Sequence, residues 1–324
     1  MAWLEGYAYR KKITIAAGTG AGTNYQQLLL VGESSGAVGE NFDLESHCQN
    51  FPTDIRLTDN DETTLLDFWV EEITGTTPNR LAKVWVKVAD DLGANVDTYI
   101  YYGKSADSSV SNGVNTFVFF DDFLGSSIDT GKWSGAIADC SVADSVVTLT
   151  KTGADVFVFS TPAGTFGPAI RIRSKEQHPQ ASSSVDHDSE AGVRTDNAWT
   201  NVVRIYQYDL TVWDYSVHRA GAASVIGSNV SLFTTWGIFE RLWKDINSAK
   251  FSVNDSVPQE ITTNVPSVAA PLYFRAYATA GNTTSIKLDW IFVGKYVPPE
   301  PAFSLAGGEE ATGQPKLMMM GMGT

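Results

Sequence analysis

Apolar and polar residues alternate with a period of two along most of the chain, and this pattern predicts β-strands. In one run, Val84, Val86 and Val88 fall on one face, while Trp85 and Lys87 fall on the other. A slip of one residue in the pairing would turn the valines to solvent, so the register of this strand is strongly specified. Helical periodicity is weak throughout the chain. The sequence therefore predicts an all-β protein.

The predicted strands form two groups, which meet at the segment 117–133. The first group has strands at 12–16, 27–31, 54–58, 64–70, 83–88 and 98–102. The second group has strands at 145–150, 155–160, 169–174, 190–195, 201–208, 210–217, 237–244, 250–253, 272–278 and 285–296. Turn-forming Gly, Asn, Asp and Pro clusters separate them, as in β-sandwiches. We predict two β-sandwich domains in series, over 1–115 and 116–297, and then a Pro/Gly linker and Met-rich tail over 298–324.

Composition and charge exclude some partners. Of the 324 residues, 43% are hydrophobic, which suffices for two cores. The 23 basic residues are scattered among 37 acidic ones, and the net charge of -14 would repel a phosphate backbone. The longest apolar runs, such as 28–31, are far shorter than the roughly 20 residues that span a bilayer. We expect neither nucleic-acid binding nor a membrane segment.

The N-terminus and the cysteines bear on the cellular compartment. The segment 1–12 lacks the apolar region of an export signal, so with Met1 as the natural start we expect no cleaved leader. The two cysteines, Cys48 and Cys140, lie in different domains and are too few for a disulfide framework. They are predicted to be free thiols.

The first domain resembles a family of uncharacterised β domains found in archaeal and bacterial surface proteins and in tailed-virus structural proteins. The resemblance lies in the runs Tyr9-Arg-Lys-Lys-Ile-Thr-Ile15, Asp54-Ile-Arg-Leu-Thr-Asp59, Val84-Trp-Val-Lys-Val88 and Tyr99-Ile-Tyr-Tyr-Gly103. It implies a surface location and an architecture, but no catalytic residues.

The second domain is similar to the concanavalin-like lectin and glucanase jelly rolls. The similarity lies in Phe120-Asp-Asp-Phe123, Ile128-Asp-Thr-Gly-Lys-Trp133 and Leu288-Asp-Trp-Ile-Phe-Val-Gly-Lys-Tyr296. Members of that superfold bind sugars, cleave them or serve as scaffolds, so the fold alone does not select a role.

Three alternating acids, Asp186, Asp188 and Glu190, are the nearest match to a glucanase pair, which needs two carboxylates about 5–5.5 Å apart on one face of a strand. They follow the loop-like run 179–184, so the prediction is a solvated loop. Carboxylate oxygens also suit Ca2+, which is the weaker alternative, and no other cofactor is predicted. His178 and His187 are predicted to be exposed loop residues.

The aromatic segment 199–215 supplies candidates for glycan contact, because sugar C–H faces stack on aromatic rings. The candidates are Trp199, Tyr206, Tyr208, Asp209, Trp213 and Tyr215. Core packing between two sheets is the alternative interpretation for these aromatic residues. Trp290 and Phe292 lie in the alternating run 288–296 and are predicted to be core residues.

The methionines of the tail are candidates for assembly, since methionine adapts to irregular grooves. They are Met318, Met319, Met320 and Met322. A frayed terminus is the alternative.

From these observations we predict a non-enzymatic structural protein on the virion surface of a tailed virus. Made in the host cytoplasm, it would decorate the capsid or form part of a tail or fibre. Its expected partners are other virion proteins, further copies of itself in a trimer, and surface glycans. The alternatives are an adhesin or carbohydrate-binding module at the cell surface, and a glycoside hydrolase.

Overall fold

The structure is a computed structural model that describes residues 3–161, 164–179, 187–196, 199–208, 212–227 and 235–312. At positions 187, 207, 208, 212, 213 and 305 it describes the backbone alone.

The strands up to the first domain boundary are β1 (Tyr9–Ala16), β2 (Tyr25–Gly32), β3 (Phe42–Asp43), β4 (Arg56–Thr58), β5 (Phe68–Thr74), β6 (Leu81–Val88) and β7 (Val96–Tyr102). One helical turn, α1 (Gly113–Thr116), follows. In the part of the chain that the structure describes, no helix has the length and apolar character needed to cross a membrane.

The middle of the chain forms β8 (Phe119–Asp121), β9 (Trp133–Gly135), a 3-10 turn (Ile137–Asp139), β10 (Cys140–Ala143), β11 (Val146–Thr152), β12 (Asp155–Ser160), β13 (Thr165–Phe166), β14 (Ile170–Gln177), β15 (His187–Arg194), β16 (Asn201–Tyr208), β17 (Val212–Arg219), β18 (Ala222–Gly227), β19 (Gly237–Asp245), β20 (Ser248–Val253), β21 (Gln259–Ile261), β22 (Ala270–Ala278) and β23 (Thr283–Lys295). The last strands are β24 (Ala302–Ala306) and β25 (Glu310–Ala311).

The chain forms two units, and the second is inserted into the first. Unit 1 comprises the chain up to Thr116 together with the segment from Pro299, and unit 2 comprises Phe117–Pro298. The segment after Pro299 belongs to unit 1 because β24 and β25 both pair with β1. The prediction of a linker over 298–324 is therefore wrong for 302–311, and the two domains are nested rather than in series.

Unit 1 contains two sheets. Sheet A has the order β24-β1-β7-β4, with β25 also on β1, and sheet B has the order β3-β2-β6-β5. The valines of β6 are fully buried, as their alternation predicts. Trp85 on the opposite face is buried too, and its indole N–H donates to Glu71 at 2.7 Å. Cys48 and Cys140 are free, as predicted.

Unit 2 is a jelly roll of two eight-stranded sheets. Sheet C has the order β10-β11-β23-β14-β19-β20-β21, with β8 on β23. Sheet D has the order β18-β17-β16-β15-β22-β12-β9, with β13 on β22. The apolar faces of both sheets form one core, in which Phe239, Phe251 and Phe274 are fully buried. Each such side chain contributes about 1.5–3 kcal/mol, and the predicted all-β fold is confirmed.

Trp290 and Phe292 are buried, but not in the core between the sheets. The pairing of β14 with β23 is irregular between Leu288 and Trp290, so the alternation changes phase there. Leu288 and then Ile291 face the core, whereas the ring of Phe292 stacks on Phe117 with centroids 3.8 Å apart. The prediction that both side chains are buried is confirmed.

Candidate functional site

The face of sheet D that points away from the core carries charged and aromatic side chains. In β15, Ala191 and Val193 belong to the core, so Glu190 and Arg194 lie on the opposite face. The same alternation places outward-facing residues on β12, β16 and β22. We call this set the outer cluster: Asp155, Phe157, Asp188, Glu190, Arg194, Trp199, Arg204, Tyr206, Tyr273 and Arg275.

Glu190 is the centre of the outer cluster and is fully buried. Its carboxylate accepts a hydrogen bond from Arg204 Nη1 and lies 3.4 Å from Arg275 Nη1 and 3.7 Å from Arg194 Nη1. The strand pairing explains this meeting, because Glu190 is the register partner of Arg275 on β22. One buried carboxylate thus faces three guanidinium groups.

Two aspartates complete the charge balance around Arg275. Asp155 accepts from Arg275 Nε at 2.6 Å and from Nη2 at 3.1 Å, which is a bidentate pair. Asp188 accepts from Arg275 Nη1 at 2.8 Å. Burial, and secondarily the charge of Glu190, raise the pKa of Asp188.

Gly192 leaves the middle of this face without a side chain. It lies between Glu190 and Arg194 on β15, and its register partners are Arg204 and Tyr273. A β-carbon at this position would collide with the backbone oxygen of Val203, so only glycine fits.

Trp199 packs against the arginines of the outer cluster. The centroid of its ring lies 3.7 Å from Cζ of Arg194, 3.9 Å from that of Arg204 and 5.0 Å from that of Arg275. Trp199 is half-buried, and its backbone φ of +61° is unusual for a bulky residue. Its ring also lies near that of His218, whose pKa burial lowers to about 4.

Several buried polar atoms of the outer cluster have no hydrogen-bond partner. They are Oδ1 of Asp188, Nη1 and Nη2 of Arg194, and the hydroxyl of Tyr273. Arg194 and Tyr273 are fully buried, and they belong to the neighbouring strands β15 and β22. Since nearly all buried polar groups in proteins are paired, such a concentration on one face marks this region as chemically unusual.

Sequence reasoning placed Asp188 and Glu190 in a solvated loop, and this is wrong, because both lie on β15 among arginines. Their carboxylates are paired with guanidinium groups, which disfavours a cation there. Among the described residues, no group of three or more acids, histidines or cysteines could hold a metal ion. Asp186 and the side chain of His187 lie outside the described residues, so the Ca2+ alternative stays a prediction.

The aromatic candidates separate into two sets. Trp199 and Tyr206 lie in the outer cluster, where the hydroxyl of Tyr206 donates to Asp214 at 3.2 Å. Tyr215 is buried in the core and stacks on Phe251 at 5.4 Å, so its prediction as a glycan contact is wrong. Asp209, the side chains of Tyr208 and Trp213, and the methionines Met318, Met319, Met320 and Met322 lie outside the described residues.

His178 was predicted to be an exposed loop residue, but it is buried between the sheets. Its Nε2 lies 2.9 Å from Glu176 and its Nδ1 lies 2.7 Å from Ser189 Oγ. Arg241 Nη2 lies 3.0 Å from Glu176, and Arg241 Nη1 donates to Ser174 at 2.9 Å. We call these five residues the inner cluster. They are at most 2% exposed, so the hydroxyl of Ser189 is closed to substrates.

The three arginines of the outer cluster were missed from the sequence. Arg204 stands in Val202-Val-Arg-Ile205 and Arg275 in Tyr273-Phe-Arg-Ala276, where a cation interrupts an apolar strand. A cation within an apolar strand was the sequence signal that could have identified Arg204 and Arg275.

Comparison with known proteins gives a limited match for the N-terminal half. The model of a domain of unknown function, DUF2341, matches residues 52–136, which is less than half of the chain. No curated protein matches the sequence. The finer resemblance to archaeal and tailed-virus proteins gains no support from these comparisons.

The chain is also similar to several solved structures at low sequence identity. A β-glucanase from Bacillus licheniformis is 15% identical and covers 55% of this chain and 97% of its own, with a TM-score of 0.45. A β-1,3-1,4-glucanase (lichenase) from a mouse hindgut metagenome is 11% identical and covers 55% and 99%, with a TM-score of 0.46. A β-1,3-glucanase from Mycobacterium marinum is 13% identical and covers 55% and 98%, with a TM-score of 0.45.

These neighbours correct one prediction. The solved structures to which the chain is similar include glucanases, so the prediction that the protein is not an enzyme does not stand. At identities of 11–15% and TM-scores of 0.45–0.46, these similarities do not assign an activity to this chain. The predicted virion surface, viral partners and trimer stay predictions.

Proposed function

We propose that unit 2 binds a carbohydrate on the outer face of sheet D, around Trp199. The observation that carries this proposal is the group of unpartnered polar atoms on Asp188, Arg194 and Tyr273, which lie on one face beside aromatic rings. We therefore prefer the alternative of an adhesin or carbohydrate-binding module to the predicted structural role on a virion.

The chemistry of this face suits a sugar. A sugar hydroxyl both donates and accepts, so it can accept from the guanidinium of Arg194 and donate to Oδ1 of Asp188. An aromatic ring supplies the apolar surface against which sugar C–H groups pack. Binding would thus satisfy buried groups whose lack of a partner costs about 1–3 kcal/mol each.

Trp199 controls access to these groups. It is half-buried, whereas Arg194 beneath it is fully buried. Its left-handed backbone conformation costs on the order of 1–3 kcal/mol, and release of that strain would favour a rearrangement. We infer that the indole ring turns away from the guanidinium groups when a saccharide enters and then packs against the sugar.

Binding to a glycan array tests the proposal. The variant Trp199→Ala should lose at least tenfold in affinity for any glycan that the parent protein binds. Trp236→Ala is the matched control, because Trp236 is also half-buried and lies over a cation, with Lys175 Nζ 5.6 Å from its ring, but it precedes β19 of sheet C. Release of reducing ends from the same glycans shows whether bound sugar is also cleaved. Absence of binding by the folded parent protein, or equal losses in both variants, would contradict the proposal.

A further inference from the structure

The three arginines of the outer cluster differ in how their charge is neutralised. Arg275 has a bidentate partner in Asp155 and a second carboxylate in Asp188. Arg204 donates directly to Glu190, and its Nε donates to Ser216 Oγ at 3.0 Å. Both guanidinium groups therefore have carboxylate partners within hydrogen-bond distance.

Arg194 has no such carboxylate. Its Nε donates to the backbone oxygen of Asp196, and Nη1 lies 3.7 Å from Glu190, which is an ion pair without a hydrogen bond. Neither Nη1 nor Nη2 has a hydrogen-bond partner, although the side chain is fully buried. Burial lowers the pKa of this guanidinium. The two donor nitrogens Nη1 and Nη2 of the planar guanidinium group are thus left for another acceptor.

Aromatic rings hold that guanidinium in place. Its Cζ lies 3.7 Å from the ring centroid of Trp199, 4.4 Å from that of Phe157 and 5.8 Å from that of Tyr273. The contacts with Phe157 and Tyr273, which do not depend on Trp199, restrict the orientation of the guanidinium plane, so its two Nη groups present a fixed fork.

The unpartnered atoms around the fork are mainly donors. The hydroxyl of Tyr273 can donate as well. Among the unpartnered atoms that the structure describes in this cluster, only Oδ1 of an ionised Asp188 can accept but not donate. A neutral sugar hydroxyl offers one oxygen and no charge. A carboxylate offers two coplanar oxygens with a negative charge, which match the two Nη groups of an arginine bidentately.

We propose that Arg194 binds the carboxylate of an acidic saccharide, a uronate, and so selects acidic over neutral glycans. This inference rests on the proposed function of the same face. Glu190 would remain with Arg204 and Arg275, while the uronate carboxylate takes the two free Nη groups of Arg194. The apolar face of the sugar ring would then lie against Trp199.

Calorimetry with the full chain tests the specificity. The probes are oligogalacturonate, the same oligomer after carboxyl reduction, a neutral β-glucan oligomer and a sulfated galactan oligomer. We expect the oligogalacturonate to bind at least tenfold more tightly than its carboxyl-reduced form. In the parent protein, free galacturonate should compete with the bound oligogalacturonate and galactose should not. This comparison requires no variant.

Two substitutions locate the effect. Arg194→Gln should remove the preference for the uronate, and Arg194→Lys, which keeps the buried charge but lacks the fork, should reduce it severalfold while preserving the fold. Arg171→Gln on sheet C, where Arg171 Nε pairs with Glu240 at 2.7 Å, is the control and should keep the preference.

The outcomes are distinguishable. Equal binding of the uronate and its reduced form, or binding of the neutral or sulfated oligomer alone, overturns the role of Arg194 and leaves carbohydrate binding intact. A preference for the uronate that persists in folded Arg194→Lys and Arg194→Gln also overturns it. No binding of any probe or array glycan overturns both proposals.

Discussion

In the described part of unit 2, the inner and outer clusters both bury charge, and they differ in how completely their polar atoms are paired. In the inner cluster, both oxygens of Glu176 have partners, and His178 connects Glu176 on sheet C to Ser189 on sheet D. The atoms there without a hydrogen bond, Nε and Nη2, belong to Arg241, and Nη2 lies 3.0 Å from Glu176.

The outer cluster leaves atoms of three residues without partners, on a face that points away from the core. Burial of charge is common to both clusters, so burial alone does not distinguish a structural network from a binding site. In the inner cluster the atoms without a hydrogen bond belong to Arg241 alone, whereas in the outer cluster they belong to three residues. The outer cluster also has a half-buried cover, Trp199. We therefore interpret the inner cluster as a clamp between the sheets and the outer cluster as the ligand site.

Removing the charge of Glu176 should have the largest effect on stability. Glu176→Gln leaves the guanidinium of Arg241 buried without its carboxylate, and such losses typically lower the free energy of unfolding by about 3–5 kcal/mol. Chemical denaturation of the full chain measures it. Glu260→Gln is the control, because Glu260 is exposed and its oxygen lies 3.8 Å from Lys250, so a change below about 1 kcal/mol is expected. Equal effects of the two variants would contradict the clamp.

Acid should weaken the same clamp. The charges of Arg241 and His178 and the hydrogen bonds from His178 and Ser174 outweigh burial and lower the pKa of Glu176 from 4.5 to about 2. A lowered folded-state pKa stabilises the protein above pH 4.5, and this contribution, up to about 3 kcal/mol, is lost as the pH falls from 4.5 towards 2. Urea unfolding at several pH values measures the loss. Glu176→Gln should show a shallower decline than the parent protein over this range, and parallel declines would contradict the assignment.

Local alternation explains why the fold was predictable. The predicted strand 155–160 coincides with β12 and 201–208 coincides with β16, because the period of side-chain exposure is set within each strand. The bulge near Trp290 could not be seen this way, since it depends on the pairing of β23 with β14. The return of β24 to β1 depends likewise on a partner almost 300 residues away in the chain.

The candidate site was only partly predictable for the same reason. Trp199 and Tyr206 were found because an aromatic-rich segment is recognisable in a sequence. The partnership of Glu190 with Arg275, 85 residues apart, is created by register across sheet D. Alternation assigned Asp188 and Glu190 to one face, but it contained no information on the arginines that bury them.

Ser189 of the inner cluster and Ser216, which contacts Arg204 of the outer cluster, form a matched pair for which smaller effects on stability are expected. Ser189→Ala removes the hydroxyl that pairs with Nδ1 of His178 and should cost about 1–3 kcal/mol of stability, with glycan affinity unchanged. Ser216→Ala removes the acceptor for Arg204 Nε at 3.0 Å and the partner of His218 Nε2 at 3.2 Å, so it should also weaken glycan binding. Denaturation and calorimetry on both variants separate the roles. If Ser189→Ala weakens glycan binding as much as Ser216→Ala does, the separation of the two clusters fails.

The smallest effect on stability is expected for Asp188→Asn. The raised pKa of Asp188 means that its ionised form is disfavoured in the folded protein, since burial and the charge of Glu190 oppose ionisation. Ionisation of a group whose pKa is raised by folding destabilises the folded state once the pH exceeds the pKa of that group in the unfolded chain. Replacing Asp188 by a neutral amide should therefore change the free energy of unfolding at pH 7 by about 1 kcal/mol or less. Arg275 keeps its bidentate partner Asp155 in this variant.

Glu190→Gln is the comparison within the same cluster. Glu190 is fully buried and faces three guanidinium groups, so its substitution should cost several times more stability than Asp188→Asn. Asp188→Asn should instead reduce glycan affinity. The amide oxygen is expected to stay towards the donor Nη1 of Arg275, which places an NH2 group, a donor, where Oδ1 is proposed to accept from a sugar hydroxyl. Equal losses of stability in the two variants, with glycan affinity unchanged in Asp188→Asn, would mean that the outer cluster is a second clamp rather than a binding face.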